Sequence, residues 1–343
     1  MRSVEESQTT ADSSAAEVGE TARRRWLSSQ TLEAVALPLA WVLLIIIFGL
    51  LKPETFLSSA NLSSILASQA ILVVVALGLI IPLTAGDYDL SIASVVLLSA
   101  SLVAILNGTL GWPVWAAIAV ALCGGLTVGL INGVLVIVIG IDSLIATLGM
   151  GTFVTGFVQF IGASRTVSGI SDSLVNAVIR WRFLGIPLSF YYAMLVALFV
   201  WYVFAYTPVG RRLLVVGRNR EVARLSGFRV GAIRWGSLAA ASILAAFAGV
   251  LYAGTSGAAS PTSGLELLLP AFAAAFLGAT AISPGRFNAW GTVVAVYFLV
   301  TGITGLQLLG AQSYIQNLFY GAALILAVTA SQFVRRRRAG RGA

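Results

Sequence analysis

Long apolar stretches separated by short polar turns make up most of the chain from residue 34 onward. A membrane-spanning helix needs about 20 mainly apolar residues to cross roughly 30 Å of hydrocarbon. Ten stretches approach that length: residues 34–51, 67–84, 90–106, 113–139, 144–162, 187–206, 235–257, 265–282, 289–309 and 314–334. The pattern predicts an all-α fold, a polytopic transmembrane helical bundle of about ten spans.

Two of the predicted connections are very short. Residues 85–89 join the second and third stretches, and residues 140–143 join the fourth and fifth. A broken or re-entrant helix could replace either pair of spans.

The positions of the basic residues predict the orientation. Cytoplasmic loops of membrane proteins carry an excess of arginine and lysine. With the N-terminus inside, ten spans leave only Lys52, Arg165, Arg180 and Arg182 outside, and all other basic residues inside. We therefore expect an even number of spans with both termini in the cytoplasm, although the charges alone do not separate ten spans from eight.

Composition along the chain predicts three regions. Residues 1–25 are rich in Ser, Ala and Glu without an apolar core, which indicates a disordered cytoplasmic tail and not a signal peptide. Residues 26–334 form the predicted membrane domain, in which residues 207–234 are the longest polar segment. Residues 335–343 form a basic cytoplasmic tail.

Overall composition supports a membrane protein and argues against two other classes. The chain is 58% hydrophobic and 10% charged, values typical of membrane proteins and not of soluble domains. Its net charge of +8 is basic, but the arginines flank apolar segments without interleaved aromatic residues. We therefore expect no nucleic-acid binding.

Missing residue types limit the chemistry. The chain has no histidine, one cysteine, Cys123, and one lysine, Lys52. Histidine catalysis, a Cys/His metal cluster and a Gly-x-x-x-x-Gly-Lys-Ser/Thr phosphate loop are all excluded by these counts. We expect no enzyme activity, metal or cofactor in this chain, so any ATP hydrolysis belongs to a separate subunit.

The polar segment 207–234 contains a predicted surface helix. Val222 and Leu225 recur at roughly helical spacing, and Gly227 is a residue type that commonly ends helices. The sequence predicts a short helix between Arg220 and Phe228. A basic loop can also simply anchor the neighbouring spans and bind anionic lipid.

The same segment resembles the cytoplasmic loop of ABC transporter permeases, and more closely that of the ribose-type sugar import family. The resemblance implies that this loop docks into the ATPase subunit and couples its closure to the spans. The matching residues are Gly217, Asn219, Glu221, Ala223, Leu225, Ser226 and Gly227.

Further motifs resemble that family across residues 56–329. They lie at residues 61–66, 85–94, 132–136, 145–150, 277–286 and 291–292. The chain departs from the family pattern at Asp87 and Tyr88, where a second glycine is usual, at Asp142, and at Glu266, which falls about two residues early. These departures leave the particular sugar open.

Five polar residues are candidates for lining the translocation pathway: Gln69, Asp87, Asp89, Asn132 and Thr147. Ionisable groups at membrane depth are costly and often functional. The aspartates, like Asp142, also lie in short connections where a carboxylate can cap a helix. The three uncharged residues suit either a lumen or hydrogen bonds between helices.

The resemblance implies the permease subunit of an ATP-driven ABC importer in the bacterial cytoplasmic membrane. Such a subunit passes a monosaccharide inward from an extracytoplasmic binding protein. The implied partners are an ATP-binding subunit, that binding protein and a second permease copy. Two alternatives remain: another small solute, such as a polyol, nucleoside or branched-chain amino acid, and an ion-coupled secondary transporter using Asp87 and Asp89.

Overall fold

The computed structural model describes the backbone of residues 34–339 and the side chains of residues 34–329. The predicted tail at residues 1–25 and the last four residues of the basic tail lie outside the described residues.

Helices account for most of the described chain. They are α1 (Ala34–Leu51), α2 (Pro53–Phe56), α3 (Ser59–Ser68), α4 (Ala70–Thr84), α5 (Ile92–Val103), α6 (Val114–Gly133), α7 (Ser143–Ile161), α8 (Asp172–Val175), α9 (Leu188–Tyr206), α10 (Pro208–Arg218), α11 (Arg220–Leu225), α12 (Val230–Ser256), α13 (Leu268–Gly278), α14 (Ala289–Leu308) and α15 (Tyr314–Ala339).

Irregular helical turns and two very short sheets complete the fold. Wider π-helical turns cover Ala104–Thr109, Val134–Val138 and Asn176–Arg180, and a 3₁₀ turn covers Leu265–Leu267. Strand β1 (Val167–Ser168) pairs antiparallel with β4 (Ala258–Ala259), and β2 (Arg182–Phe183) pairs with β3 (Ile186–Pro187).

The apolar helices match the ten predicted stretches in order. Within residues 34–339, eight helical segments are long and apolar enough to cross a membrane, and two shorter apolar helices occupy Leu265–Gly278 and Tyr314–Thr329. The prediction of a polytopic helical membrane protein is confirmed. The cytoplasmic position of both termini stays a prediction.

Several predicted boundaries were wrong, and polar residues explain each error. The second segment starts at Ser59, because α3 continues the helix outward with serines and an asparagine. The seventh begins at Val230, and its first turns include Arg234. The polar segment 207–234 is helical over most of its length, in α10 and α11. Long helices can continue past the hydrocarbon into polar surroundings, where hydropathy no longer detects them.

Helix α12 forms the centre of the bundle, where it packs along α4, α5 and α6. Every residue of α4 from Ala70 to Ile80 is buried, and so is every residue of α5 from Ile92 to Ser101. A helix that is apolar and buried all round belongs to the interior of a bundle. Helices α13, α14 and α15 pack together beside α4.

Small residues set the distance between α6 and α12. Gly125, Gly129 and Gly133 are four residues apart and face α12. A Cβ atom on Gly125 would lie 2.5 Å from the Cβ of Ala246, and one on Gly129 would lie 2.8 Å from the Cα of Ala239. Glycines at such positions let helix backbones approach closely in lipid.

Replacing Gly129 with alanine should therefore destabilise the protein. The new methyl group would overpack the α6–α12 contact, at a cost of about 1–3 kcal/mol. Thermal unfolding in detergent would show a lower Tm for Gly129→Ala than for the wild type.

Gly321→Ala on α15 is the matched control, because a Cβ atom added to Gly321 would meet no other atom within 4 Å. Alanine should be neutral or slightly stabilising there, since glycine weakens helix interiors. Equal Tm changes for the two variants would contradict close packing at Gly129.

Candidate functional site

Four of the five predicted pathway residues meet around the connection between α4 and α5, residues 85–91. Asp87 and Asp89 belong to this connection, Asn132 reaches it from the end of α6, and Thr147 reaches it from α7. Gln69 lies at the other end of α4, where its Nε2 donates to the hydroxyl of Ser68 at 3.1 Å.

The start of α7 supports the backbone of this connection. The hydroxyl of Thr147 accepts a hydrogen bond from the N–H of Leu90 at 2.9 Å and donates one to the carbonyl of Ser143 at 2.7 Å. The hydroxyl of Ser143 accepts from the N–H of Tyr88 at 3.1 Å. Side chains of α7 thus satisfy backbone groups that α4 and α5 leave unpaired.

Asp89 binds Ser91, the residue immediately before α5. Its Oδ1 accepts from the N–H of Ser91 at 3.0 Å and from the hydroxyl of Ser91 at 2.6 Å. The amide of Asn132 in turn donates to the Ser91 hydroxyl at 2.8 Å. Among the described residues, Oδ2 of Asp89 and Oδ1 of Asn132 have no hydrogen-bond partner.

Burial changes the acidity of Asp89, which lies between the spanning segments Ser59–Thr84 and Ile92–Thr109. Loss of water raises the pKa of its carboxyl from 3.8 to about 6, and the two hydrogen bonds from Ser91 reduce that rise. The carboxyl is therefore a weaker acid than an exposed aspartate.

Asp142 has the capping role that its sequence position suggested. Its Oδ1 accepts from the N–H of Leu144 at 2.9 Å, at the N-terminus of α7. The capping interpretation is confirmed for this residue.

Asp87 has partners that the sequence did not indicate. Arg234 of α12 donates to both of its carboxylate oxygens, from Nε to Oδ2 at 2.7 Å and from Nη2 to Oδ1 at 2.6 Å. Arg220, the first residue of α11, donates to Oδ1 at 2.9 Å. Asp87 is 1% exposed. Because its partners are these two arginines, guanidinium groups and not a helix N-terminus neutralise its charge.

A charge count could have indicated that Asp87 needs a cationic partner. It is a carboxylate between two apolar helices, and residues 211–234 hold seven arginines. The spacing of those arginines does not reveal which of them reach it, because that depends on how α10, α11 and α12 fold back on the bundle.

Helix α11 confirms the surface helix predicted between Arg220 and Phe228. The Oδ1 of Asn219 accepts from the N–H of Glu221 at 2.9 Å and from that of Val222 at 3.1 Å, which caps its start. Gly227, with a φ of 80°, follows its end. A left-handed backbone of this kind favours glycine.

The predicted coupling residues divide into two groups by position. Ala223 is fully buried, and Gly217 packs against the carbonyl of Thr84, where a Cβ atom would clash. Glu221 and Leu225 face outward. The Ser226 hydroxyl donates to the carbonyl of Val222 at 2.9 Å.

The outer face of α11 exposes apolar side chains. Leu225 is 79% exposed and Val222 is 53% exposed. Beside them, Arg224 and Glu221 form an ion pair of 2.7 Å on the surface. This face, formed by residues 221, 222, 224 and 225, is called the α11 outer face below.

The bundle of apolar helices, with its arginine-rich α10–α12 region, defines a multi-pass membrane protein, and the family match places it among the transport permeases of the bacterial cytoplasmic membrane. The chain belongs to the family described as the branched-chain amino acid transport system permease component, which matches residues 61–328. The resemblance to transport permeases seen in the sequence is confirmed. A permease component implies further components of its system, an ATP-binding subunit and a substrate-binding protein.

Curated relatives match most of the chain. The ribose import permease protein RbsC of Bacillus subtilis is 31% identical over 83% of this chain and 88% of its own length. RbsC of Haemophilus influenzae is 28% identical over 86% and 92%, respectively. The galactose/methyl galactoside import permease protein MglC of Escherichia coli is 32% identical over 84% and 90%. No solved structure matches the chain.

The raised pKa of Asp89 predicts a pH-dependent stability. Between about pH 4 and pH 6 the folded protein binds a proton that the unfolded chain releases, so this group favours folding more as the pH falls. An asparagine in its place cannot titrate, yet its side-chain oxygen can still accept from Ser91. The stability of the wild type relative to Asp89→Asn should rise by up to about 3 kcal/mol from pH 7 to pH 4.

Thermal unfolding of both proteins in detergent across that pH range would measure the difference. Asp142→Asn is the control, because asparagine also caps helices and Asp142 is exposed. A difference between wild type and Asp89→Asn that does not change with pH would contradict a buried, weakly acidic carboxyl.

Proposed function

We propose that the chain is the membrane-spanning permease subunit of an ATP-driven importer and that its cargo is a monosaccharide. The family description names branched-chain amino acids, but the curated relatives carry the names of ribose, allose and galactose permeases. Those relatives align over most of their lengths, which favours a sugar over an amino acid.

The α11 outer face is the observation that carries the ATP-driven part of the proposal. This six-residue helix exposes a leucine and a valine on one surface, where a protein partner can cover both. Protein interfaces combine such an apolar centre with a polar rim, and Glu221 and Arg224 supply the rim. We assign this face to contact with the ATP-binding subunit.

The remaining coupling residues hold α11 rigidly in place. Asn219 fixes its first turn and Gly227 ends it, whereas Ala223 seats its inner side against the bundle. When two ATP-binding subunits close on ATP, a helix held in this way moves as a unit. That motion opens the pathway to one side and closes it to the other, as alternating access requires.

The proposal includes a second permease copy and an extracytoplasmic binding protein. Both follow from the resemblance to sugar importers, in which cargo arrives from a binding protein. Gln69, Asn132 and Thr147 remain predicted pathway residues. In this conformation Asn132 and Thr147 are buried with hydrogen bonds to other parts of the chain.

The aspartate contacts argue against an ion-coupled transporter. Both oxygens of Asp87 accept hydrogen bonds from arginine, and a cation placed there would be repelled by two guanidinium groups. Asp89 uses one oxygen to hold Ser91. The two aspartates therefore do not form an open cation site together.

Introducing a charge on the α11 outer face should block assembly. In Leu225→Arg, a cation replaces the most exposed apolar side chain of the face, so binding of the ATP-binding subunit should fall by tenfold or more, roughly the effect of losing a central interface residue. Co-purification of the subunit from detergent, followed by titration of the purified proteins, measures the change.

Leu184→Arg is the matched control, since Leu184 is 83% exposed in the turn between β2 and β3, away from α11. It should bind the ATP-binding subunit like the wild type. Equal binding by both variants and the wild type would contradict docking through α11.

A further inference from the structure

Asp87 connects the α4–α5 turn to α11, the proposed docking helix, and to α12. We propose that Asp87 is a positioning residue that transmits the movement of α11 to the membrane helices through its ion pairs with Arg220 and Arg234. The inference rests on the proposed function, because it concerns how ATP-driven movement reaches the pathway.

The two ion pairs differ in burial and in the number of contacts, and this difference suits the transmission of movement from α11. Arg234 is 15% exposed and grips both carboxylate oxygens, so it fixes Asp87 firmly to α12. Arg220 is 47% exposed and makes one contact to Oδ1. The pair with Arg234 therefore fixes Asp87 to α12, and the pair with Arg220 is the contact that moves when α11 moves.

Arg220 also reaches the backbone beside Asp87. Its Nη2 donates to the carbonyl of Gly86 at 2.8 Å. On the other side of the cap residue Asn219, α10 ends at Arg218. Gly217, the residue before that end, packs on the carbonyl of Thr84 without space for a side chain. The α10–α11 junction thus holds the end of α4 on two sides.

The α4–α5 turn is hydrogen-bonded to three membrane helices. The N–H of Asp87 donates to the carbonyl of Pro82 in α4 at 2.9 Å. The neighbouring N–H groups of Tyr88 and Leu90 bond to side chains of α7, and Asp89 binds Ser91 at the start of α5. A displacement of Arg220 therefore acts on α4, α5 and α7 together.

Stability alone does not require this arrangement. Moving an aspartate and an arginine out of water is unfavourable, and neutral partners of similar shape often replace buried ion pairs with little loss. Removing only one partner is different, because it leaves the other charge uncompensated. A neutral double variant can therefore separate a role in folding from a role in transmission.

The experiment compares four proteins, each assembled with its ATP-binding subunit and binding protein in proteoliposomes. They are the wild type, Asp87→Asn, the double variant Asp87→Asn/Arg234→Gln, and Asp142→Asn as a control that removes a carboxylate outside any described ion pair. The measured quantities are the sugar taken up per ATP hydrolysed, with D-ribose and D-galactose as probes, and the Tm of each permease.

Asp87→Asn should lower uptake per ATP by about tenfold, a typical coupling effect between sites, and should also lower the Tm. The double variant should regain most of the Tm but not the uptake per ATP. Asp142→Asn should match the wild type in both.

Two results would overturn the inference. One is a double variant that regains uptake per ATP together with its Tm, which would make the ion pairs merely structural. The other is an uptake per ATP in Asp87→Asn equal to that of Asp142→Asn. Failure of the proposed function is distinguishable, because the wild type itself would then show no ATP-driven uptake.

Discussion

The close packing of α12 against α4, α5 and α6 is the contact on which the rest of the structure depends. In a bilayer, lipid tails are as apolar as leucine side chains, so helices associate through shape and internal hydrogen bonds. Glycines on α6 and alanines on α12 let the backbones approach to near van der Waals contact. This packing brings the start of α12, with Arg234, next to the α4–α5 turn.

Hydropathy was sufficient to predict the bundle, because the bilayer demands apolar length from every span. The same dependence on apolar length explains which helices the sequence pattern missed. Helix α3 and the first turns of α12 were missed since they carry serines, asparagine or arginine. Helix α10 was missed within a segment that hydropathy describes only as polar.

Local chemistry was predictable where a residue and its partner are near in sequence. Asp142 lies two residues before the N–H that it caps, and Asn219 and Gly227 define α11 from within the same segment. The contacts of Asp87 could not be predicted in this way. Arg220 and Arg234 are 133 and 147 residues away, and only the folding of α10, α11 and α12 onto the bundle brings them to the carboxylate.

The most direct measurement is sugar uptake into proteoliposomes that contain the permease, its ATP-binding subunit and its binding protein. ATP and a proton gradient are supplied separately, with D-ribose and D-galactose as probes. An ATP-driven sugar permease should accumulate one of these sugars with ATP alone and none with the gradient alone. Uptake that runs on the gradient without ATP would contradict this function.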